Sequence, residues 1–156
     1  MKTLVIGYGN PGRTDDGLGP ALAEKVEIWR KPSIAVLVDY QLNIEHAGEV
    51  AEADLVIFID ASIETSAPFR FYRLEPADRN DFTTHAMAPE TVLETCRKVY
   101  GKAPPAFVLA VRGDSFELSE GFSNTAEQNM KKAERFLSEL LQPGDLKARC
   151  MGAAGC

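Results

Sequence analysis

Short, continuous apolar runs alternate along the chain with segments whose apolar residues recur every three or four positions. The runs lie at residues 3–6, 33–40, 53–61, 69–74 and 106–111. Continuous rather than alternating apolarity indicates strands covered on both faces, as in a parallel sheet. The run at 69–74 alternates more and is expected nearer an edge. Helical periodicity follows at residues 18–29, weakly at 41–53, and again at 92–100 and 124–141. This order predicts a three-layer α/β domain, with a twisted, mostly parallel sheet of about five strands between helices.

The pattern also sets the expected domain organisation of the 156-residue chain. The last helix is capped by Ser123 or Asn124 and stops before Pro143 and Gly144, which break helices. Residues 1–142 are therefore predicted to form one folded domain. Residues 143–156 show no periodicity and are predicted to be a flexible C-terminal tail.

Composition excludes several classes of function. The chain has 17 basic and 23 acidic residues, which give a net charge of -6 and a pI near 5.0. This balance argues against nucleic acid or a membrane surface as the partner. No apolar run approaches the roughly 20 residues of a membrane span. The three cysteines, Cys96, Cys150 and Cys156, are odd in number and widely spaced, which favours a reducing, cytoplasmic compartment.

The loop after the first strand raises two opposite interpretations. The sequence GYGNPGRTDDGLGP places a Gly-x-Gly-x-x-Gly spacing at residues 7–12, and Asp39 ends the second strand. This is the arrangement of a dinucleotide-binding domain. However, Asp15 and Asp16 lie where the helix should begin, and two carboxylates there would repel a pyrophosphate. The charges favour a cation.

Three side chains are predicted to meet at one edge of the sheet. Asp16 follows the first strand, Asp60 ends the third, and His85 lies in the loop after the fourth. Ligands collect at the carboxyl ends of parallel strands, and this oxygen and nitrogen set suits a divalent first-row metal. The ordinary alternatives are helix capping, a strand-end turn and a solvated histidine. The other histidine, His46, is set aside because it lies in a short polar helix with no acidic strand end beside it.

The sequence offers no strong candidate for a nucleophilic side chain. Cys96 falls on the apolar face of its helix, where core packing is the simplest role. Ser115 lacks the spacing of a serine-hydrolase elbow. The Arg-Gly-Asp at residues 112–114 follows the last strand and predicts a turn or the rim of a substrate groove.

Four motifs, taken in order, resemble those of the hydrogenase maturation endopeptidases. They are GYGNPGRTDDGLGP, DLVIFIDAS, THAMAP and VRGDSFELSEGFS, and the resemblance runs to about Leu141. It implies a compact α/β domain whose metal-contacting and catalytic residues are Asp16, Asp60 and His85. Some members of the family have glutamate at the first of these positions, one methylene longer than the aspartate here.

The resemblance implies an endopeptidase that removes the C-terminal extension of a nickel-iron hydrogenase large-subunit precursor after nickel insertion. The nickel is carried by the substrate, and no tightly bound organic cofactor is expected. Metal polarisation of the scissile carbonyl, metal activation of water, and an aspartate acting as general base all remain open. The protein is expected to act as a cytoplasmic monomer. The rival hypotheses are a non-catalytic nickel-handling module on the same fold and a dinucleotide-binding domain.

Overall fold

The chain folds around one five-stranded sheet, and the computed structural model describes residues 1–78 and 87–155. The strands are β1 (Thr3–Tyr8), β2 (Ile34–Asp39), β3 (Leu55–Ser62), β4 (Phe69–Leu74) and β5 (Ala106–Arg112). The helices are α1 (Leu18–Ile28), α2 (His46–Ala51), α3 (Pro89–Tyr100), α4 (Asn124–Leu140) and α5 (Leu146–Ala153). A short 3-10 helix, Thr14–Gly17, leads directly into α1. None of the described helices is both long and apolar enough to cross a membrane.

The sheet is mostly parallel, as the sequence predicts. Its strand order is β2-β1-β3-β5-β4. The first four strands run parallel, and β4 pairs antiparallel with β5 at one edge. The alternating run at residues 69–74 is therefore confirmed as an edge strand. The carboxyl ends of β1, β2, β3 and β5 meet at the same edge of the sheet, referred to below as the carboxyl edge.

Two apolar clusters cover the two faces of the sheet. On one face α1, α4 and α5 pack over side chains that include Ile57 and Ile59 of β3. On the other face α2 and α3 pack over side chains that include Val56 and Phe58. Successive residues of β3 therefore enter opposite cores, which explains why its sequence is continuously apolar.

Close packing fixes the start of α1 against the carboxyl edge. Gly19 lies in the first turn of α1, and a Cβ built on it would lie 2.5 Å from the carbonyl oxygens of both Tyr8 and Ile59. A larger residue would push the helix away from β1 and β3. Because the 3-10 helix precedes this contact directly, Asp15 and Asp16 are held beside the ends of these strands.

The C-terminal segment corrects the prediction of a flexible tail. Helix α5 packs on the α4 side of the sheet, and both Leu146 and Cys150 are buried. The Asp145 carboxylate accepts a hydrogen bond from the Ala148 N–H and caps the helix. Arg149 donates to backbone carbonyls of the preceding turn. The prediction fails because an eight-residue helix with two buried positions shows too little periodicity.

The same packing changes the interpretation of the tail cysteines. Burial raises the pKa of the Cys150 thiol to about 12, so this side chain behaves as an apolar core residue. It is not an accessible thiol on a flexible segment. Cys156 lies outside the described residues.

We predict that Leu146→Ala lowers the free energy of unfolding by about 2 kcal/mol, because it removes a buried side chain and leaves a cavity. Urea denaturation monitored by circular dichroism measures this change. Lys147→Ala, on the exposed side of the same helix, serves as the control and should change stability by less than about 0.5 kcal/mol. Equal stabilities for the two variants would contradict the packing of α5.

Candidate functional site

The loop after β1 is organised by its own acidic residue. The Asn10 N–H donates a 2.7 Å hydrogen bond to Oδ2 of Asp16, and the Gly12 N–H donates to Oδ1 of Asn10. Gly9 has φ +145°, and a Cβ on it would collide with the Asp16 carbonyl oxygen. Gly9 and Asn10 therefore set the conformation of the loop.

The same hydrogen bonds argue against a phosphate-binding loop. A pyrophosphate is held by backbone N–H groups that have no other acceptor. Here the Gly9 N–H donates to the Asp39 carbonyl oxygen, and the N–H groups of Asn10 and Gly12 have internal acceptors. The dinucleotide-binding alternative therefore lacks the donors that it needs at this loop.

Asp15 is not the N-cap of α1, a position that Gly17 occupies. Its carboxylate accepts hydrogen bonds from the N–H groups of Asp114, Ser115 and Ser123 and from the Ser123 hydroxyl. The Ser123 hydroxyl in turn accepts from Ala126, which confirms Ser123 as the cap of α4. Asp15 thus joins the loop after β1 to the β5–α4 loop.

The environment of Asp15 keeps its carboxylate charged. The side chain is fully buried, and burial alone would raise its pKa. The hydrogen bonds from Ser123, Asp114 and Ser115 outweigh that effect and lower the pKa of Asp15 below its usual range. The carboxylate is therefore a permanent structural anion.

Asp16 and Asp60 come together at the carboxyl edge, whereas Asp15 points to the β5–α4 loop. Burial raises the pKa of Asp60 to about 7, and the negative charges of Asp16 and Glu90 act in the same direction. The nearby Tyr8 hydroxyl and the Ala61 N–H both oppose this shift. A buried acid beside other negative charges forms an arrangement that a bound cation would relieve.

Tyr8 is a neighbour of Asp60 that the sequence patterns do not single out. Gly7 pairs with Ile59 between β1 and β3, so Tyr8 and Asp60 occupy the next positions of adjacent strands. The hydroxyl approaches the Asp60 carboxylate closely enough to lower the pKa of that carboxyl, but it does not reach hydrogen-bond geometry with any described residue. Only the strand register reveals this neighbour.

His85, the third predicted residue, lies outside the described residues. Two positions later, the Met87 N–H donates to the Leu42 carbonyl oxygen in the loop after β2. Within residues 1–78 and 87–155, no group of three or more histidine, cysteine or acidic side chains is placed to hold a metal ion. The described residues thus supply two of the three predicted ligands, Asp16 and Asp60.

The prediction that His46 has no acidic strand end beside it is wrong. Its Nε2 lies 3.5 Å from Oδ2 of Asp39, the acid that ends β2. Its Nδ1 accepts a hydrogen bond from the Asn43 N–H, which leaves Nε2 to carry the ring proton toward Asp39. The turn that follows β2 brings α2 back to the strand end, and no spacing motif signals this contact.

The weaker nucleophile candidates have structural roles. Cys96 is buried in the α2–α3 core, and its thiol donates to the Lys102 carbonyl oxygen. The Ser115 carbonyl accepts from the Asp15 N–H. Arg112 donates to the carbonyl oxygens of Gly113 and Thr65. These contacts agree with the turn predicted at residues 112–114.

Sheet order, helix placement and the acidic carboxyl edge together define the class of fold. It is a three-layer α/β domain in which an acid after β1 meets an acid at the end of β3. No protein-family model and no curated protein matches the chain. Solved structures do match it, over nearly its whole length.

Several of the matching structures are hydrogenase maturation proteases. The protease HycI from Thermococcus kodakarensis has a TM-score of 0.71 and 20% identity, covering 91% of this chain and 93% of its own. The endopeptidase HybD from E. coli has a TM-score of 0.69 and 25% identity, covering 90% and 92%. A hydrogenase 2 maturation peptidase from a Thaumarchaeota archaeon has a TM-score of 0.66 and 18% identity, covering 94% and 99%. The resemblance and fold predicted from the motifs are confirmed.

We predict that Asp60→Asn makes the protein more stable at neutral pH when metal is removed by a chelator. A carboxyl whose pKa is raised on folding contributes stability below its unfolded pKa, and this contribution is lost as pH rises through about 7. The stability advantage of the variant should grow by about 2 kcal/mol between pH 5 and pH 8.

Denaturant titrations of both proteins at several pH values measure that difference. Asp54→Asn, at the opposite end of β3 and exposed, is the matched control and should show no such trend. A constant difference between wild type and Asp60→Asn across this pH range would contradict the assigned pKa.

Proposed function

We propose that this protein is an endopeptidase that removes the C-terminal extension of a nickel-iron hydrogenase large-subunit precursor after nickel insertion. The observation that carries the proposal is the meeting of Asp16 and Asp60 at the carboxyl edge of a fold shared with hydrogenase maturation proteases. The nickel arrives with the substrate. No tightly bound organic cofactor takes part in the proposed reaction.

The proposal assigns metal contact to Asp16, Asp60 and His85. The carboxylates supply oxygen and the imidazole supplies nitrogen, so none of the three competes with thiolates for a soft-ligand position. Such a set can contact nickel that the precursor already holds without removing it. One carboxylate of the site accepts a proton from the water that attacks the peptide bond.

His85 is included on the resemblance of its motif, THAMAP, to the corresponding motif of the hydrogenase maturation endopeptidases.

Exposed apolar side chains support a protein as the substrate. Four of them project from loops that follow β2, β3 and β5, with exposed fractions between 54% and 86%: Tyr40, Ile44, Ile63 and Leu118. Exposed apolar side chains on loops at the carboxyl edge are what a surface that binds another protein would offer. The proposed reaction needs such a surface, because the scissile bond lies in a folded precursor. We propose that the protein acts on it in the cytoplasm as a monomer.

The direct test is the mass of a precursor incubated with this protein, with nickel bound and with nickel absent. We expect loss of a C-terminal peptide from the nickel-loaded form alone. His85→Ala and Asp60→Asn should each reduce the cleavage rate at least 100-fold, because each removes a group that contacts the metal. Asp54→Asn, at the other end of β3, should cleave at the wild-type rate.

The outcomes separate the rival functions. Equal cleavage of both precursor forms would contradict nickel sensing. No cleavage of a precursor that another maturation protease does cut would contradict the peptidase. In that case nickel binding that is lost in His85→Ala would favour the non-catalytic metal-handling module.

A further inference from the structure

One buried polar atom near the candidate site lacks a partner. Among the side chains of residues 1–78 and 87–155, the Tyr8 hydroxyl is the buried nitrogen or oxygen that forms no hydrogen bond. The ring packs at the margin of the α2–α3 core, so apolar contacts hold it in place. A buried hydroxyl without a partner costs free energy, and in a native protein it commonly marks a position where a water, ion or ligand binds.

The hydroxyl lies beside Asp60, one of the acids that the proposed reaction uses. Tyr8 is the last residue of β1, and Asp60 occupies the neighbouring position of β3. A tyrosine hydroxyl has an ordinary pKa of about 10 and is protonated at neutral pH, so it can donate a hydrogen bond.

The site is otherwise rich in acceptors. Asp16 and Asp60 are acceptors when ionised, and Asp16 already holds the Asn10 N–H. Among the described residues, Arg13 after β1 and Arg112 at the end of β5 donate elsewhere, to the carbonyl oxygens of Phe116 and Thr65. A substrate carbonyl oxygen at this site thus needs a donor, and in the described part of the chain the Tyr8 hydroxyl beside Asp60 can supply it.

We propose that the Tyr8 hydroxyl donates a hydrogen bond to the carbonyl oxygen of the scissile peptide bond and stabilises the charge that develops there. This inference rests on the proposed function. The water oxygen bonds to the carbonyl carbon, the carbonyl π pair moves onto its oxygen, and a site carboxylate takes the water's proton. The electron pair on that oxygen then re-forms the C=O bond, the C–N bonding pair leaves with the nitrogen, and the carboxyl passes the proton to that nitrogen. Tyr8 keeps its own proton throughout and acts through its hydrogen bond alone.

The test is Tyr8→Phe, which removes the hydroxyl and leaves the ring. We expect kcat for the nickel-loaded precursor to fall about 100-fold, because removal of one oxyanion donor has an effect of that size. KM should change less than about twofold, since the bond strengthens mainly in the transition state. The melting temperature should stay equal or rise, because the variant loses an unpartnered buried group.

The combination of lower kcat and unimpaired stability distinguishes catalysis from a structural role. Tyr100→Phe, in an exposed side chain at the end of α3, is the control and should match wild type. A Tyr8→Phe variant with wild-type kcat would overturn the inference while leaving the peptidase intact. So would a variant whose melting temperature falls or whose KM alone rises. If wild type itself fails to cleave a competent precursor, the proposed function fails first, and this inference falls with it.

Discussion

The buried carboxylate of Asp15 is the contact on which the architecture of the site depends. It accepts three backbone N–H groups and one hydroxyl from residues about 100 positions away in the chain. A buried charge is tolerated only when its hydrogen bonds are complete, so this contact holds the β5–α4 loop in one position. The two neighbouring acids therefore have different roles. Asp15 holds the loop after β1 against the β5–α4 loop, and Asp16 lies beside Asp60.

The pKa values of Asp15 and Asp60 shift in opposite directions, and this difference distinguishes a structural acid from one suited to chemistry. Asp15 is surrounded by donors, which lower its pKa. Asp60 lies at a strand end beside other negative charges, and its pKa rises to about 7. A carboxylate whose charge is balanced by hydrogen-bond donors binds a further cation weakly. A carboxylate that lacks such donors favours binding of a cation or a proton. Asp60 is therefore the acid suited to the proposed reaction.

Local patterns predicted the fold well, because a strand covered on both faces and an amphipathic helix each produce a recognisable pattern of apolar residues within a short stretch of sequence. The continuous run of β3 and the apolar stripe of α4 are examples. The contacts that the sequence did not predict are those between residues far apart in the chain. Nothing near Asp15 indicates that its partners follow β5, and nothing near His46 indicates that Asp39 lies 3.5 Å away. Helix α5 was missed because it is too short for its periodicity to be recognised. Asp16 and Asp60 were predictable, since the carboxyl ends of parallel strands meet at one edge.

The central claim is that Asp16, Asp60 and His85 form one metal-contacting site at the carboxyl edge. The most direct measurement is an anomalous difference map, recorded at the nickel absorption edge from crystals soaked in a nickel salt. The account predicts one strong peak about 2.1 Å from a carboxylate oxygen of each acid and from an imidazole nitrogen of His85. A principal peak elsewhere, for example between Asp39 and His46, would contradict it. So would a peak on the two acids that leaves His85 uncoordinated.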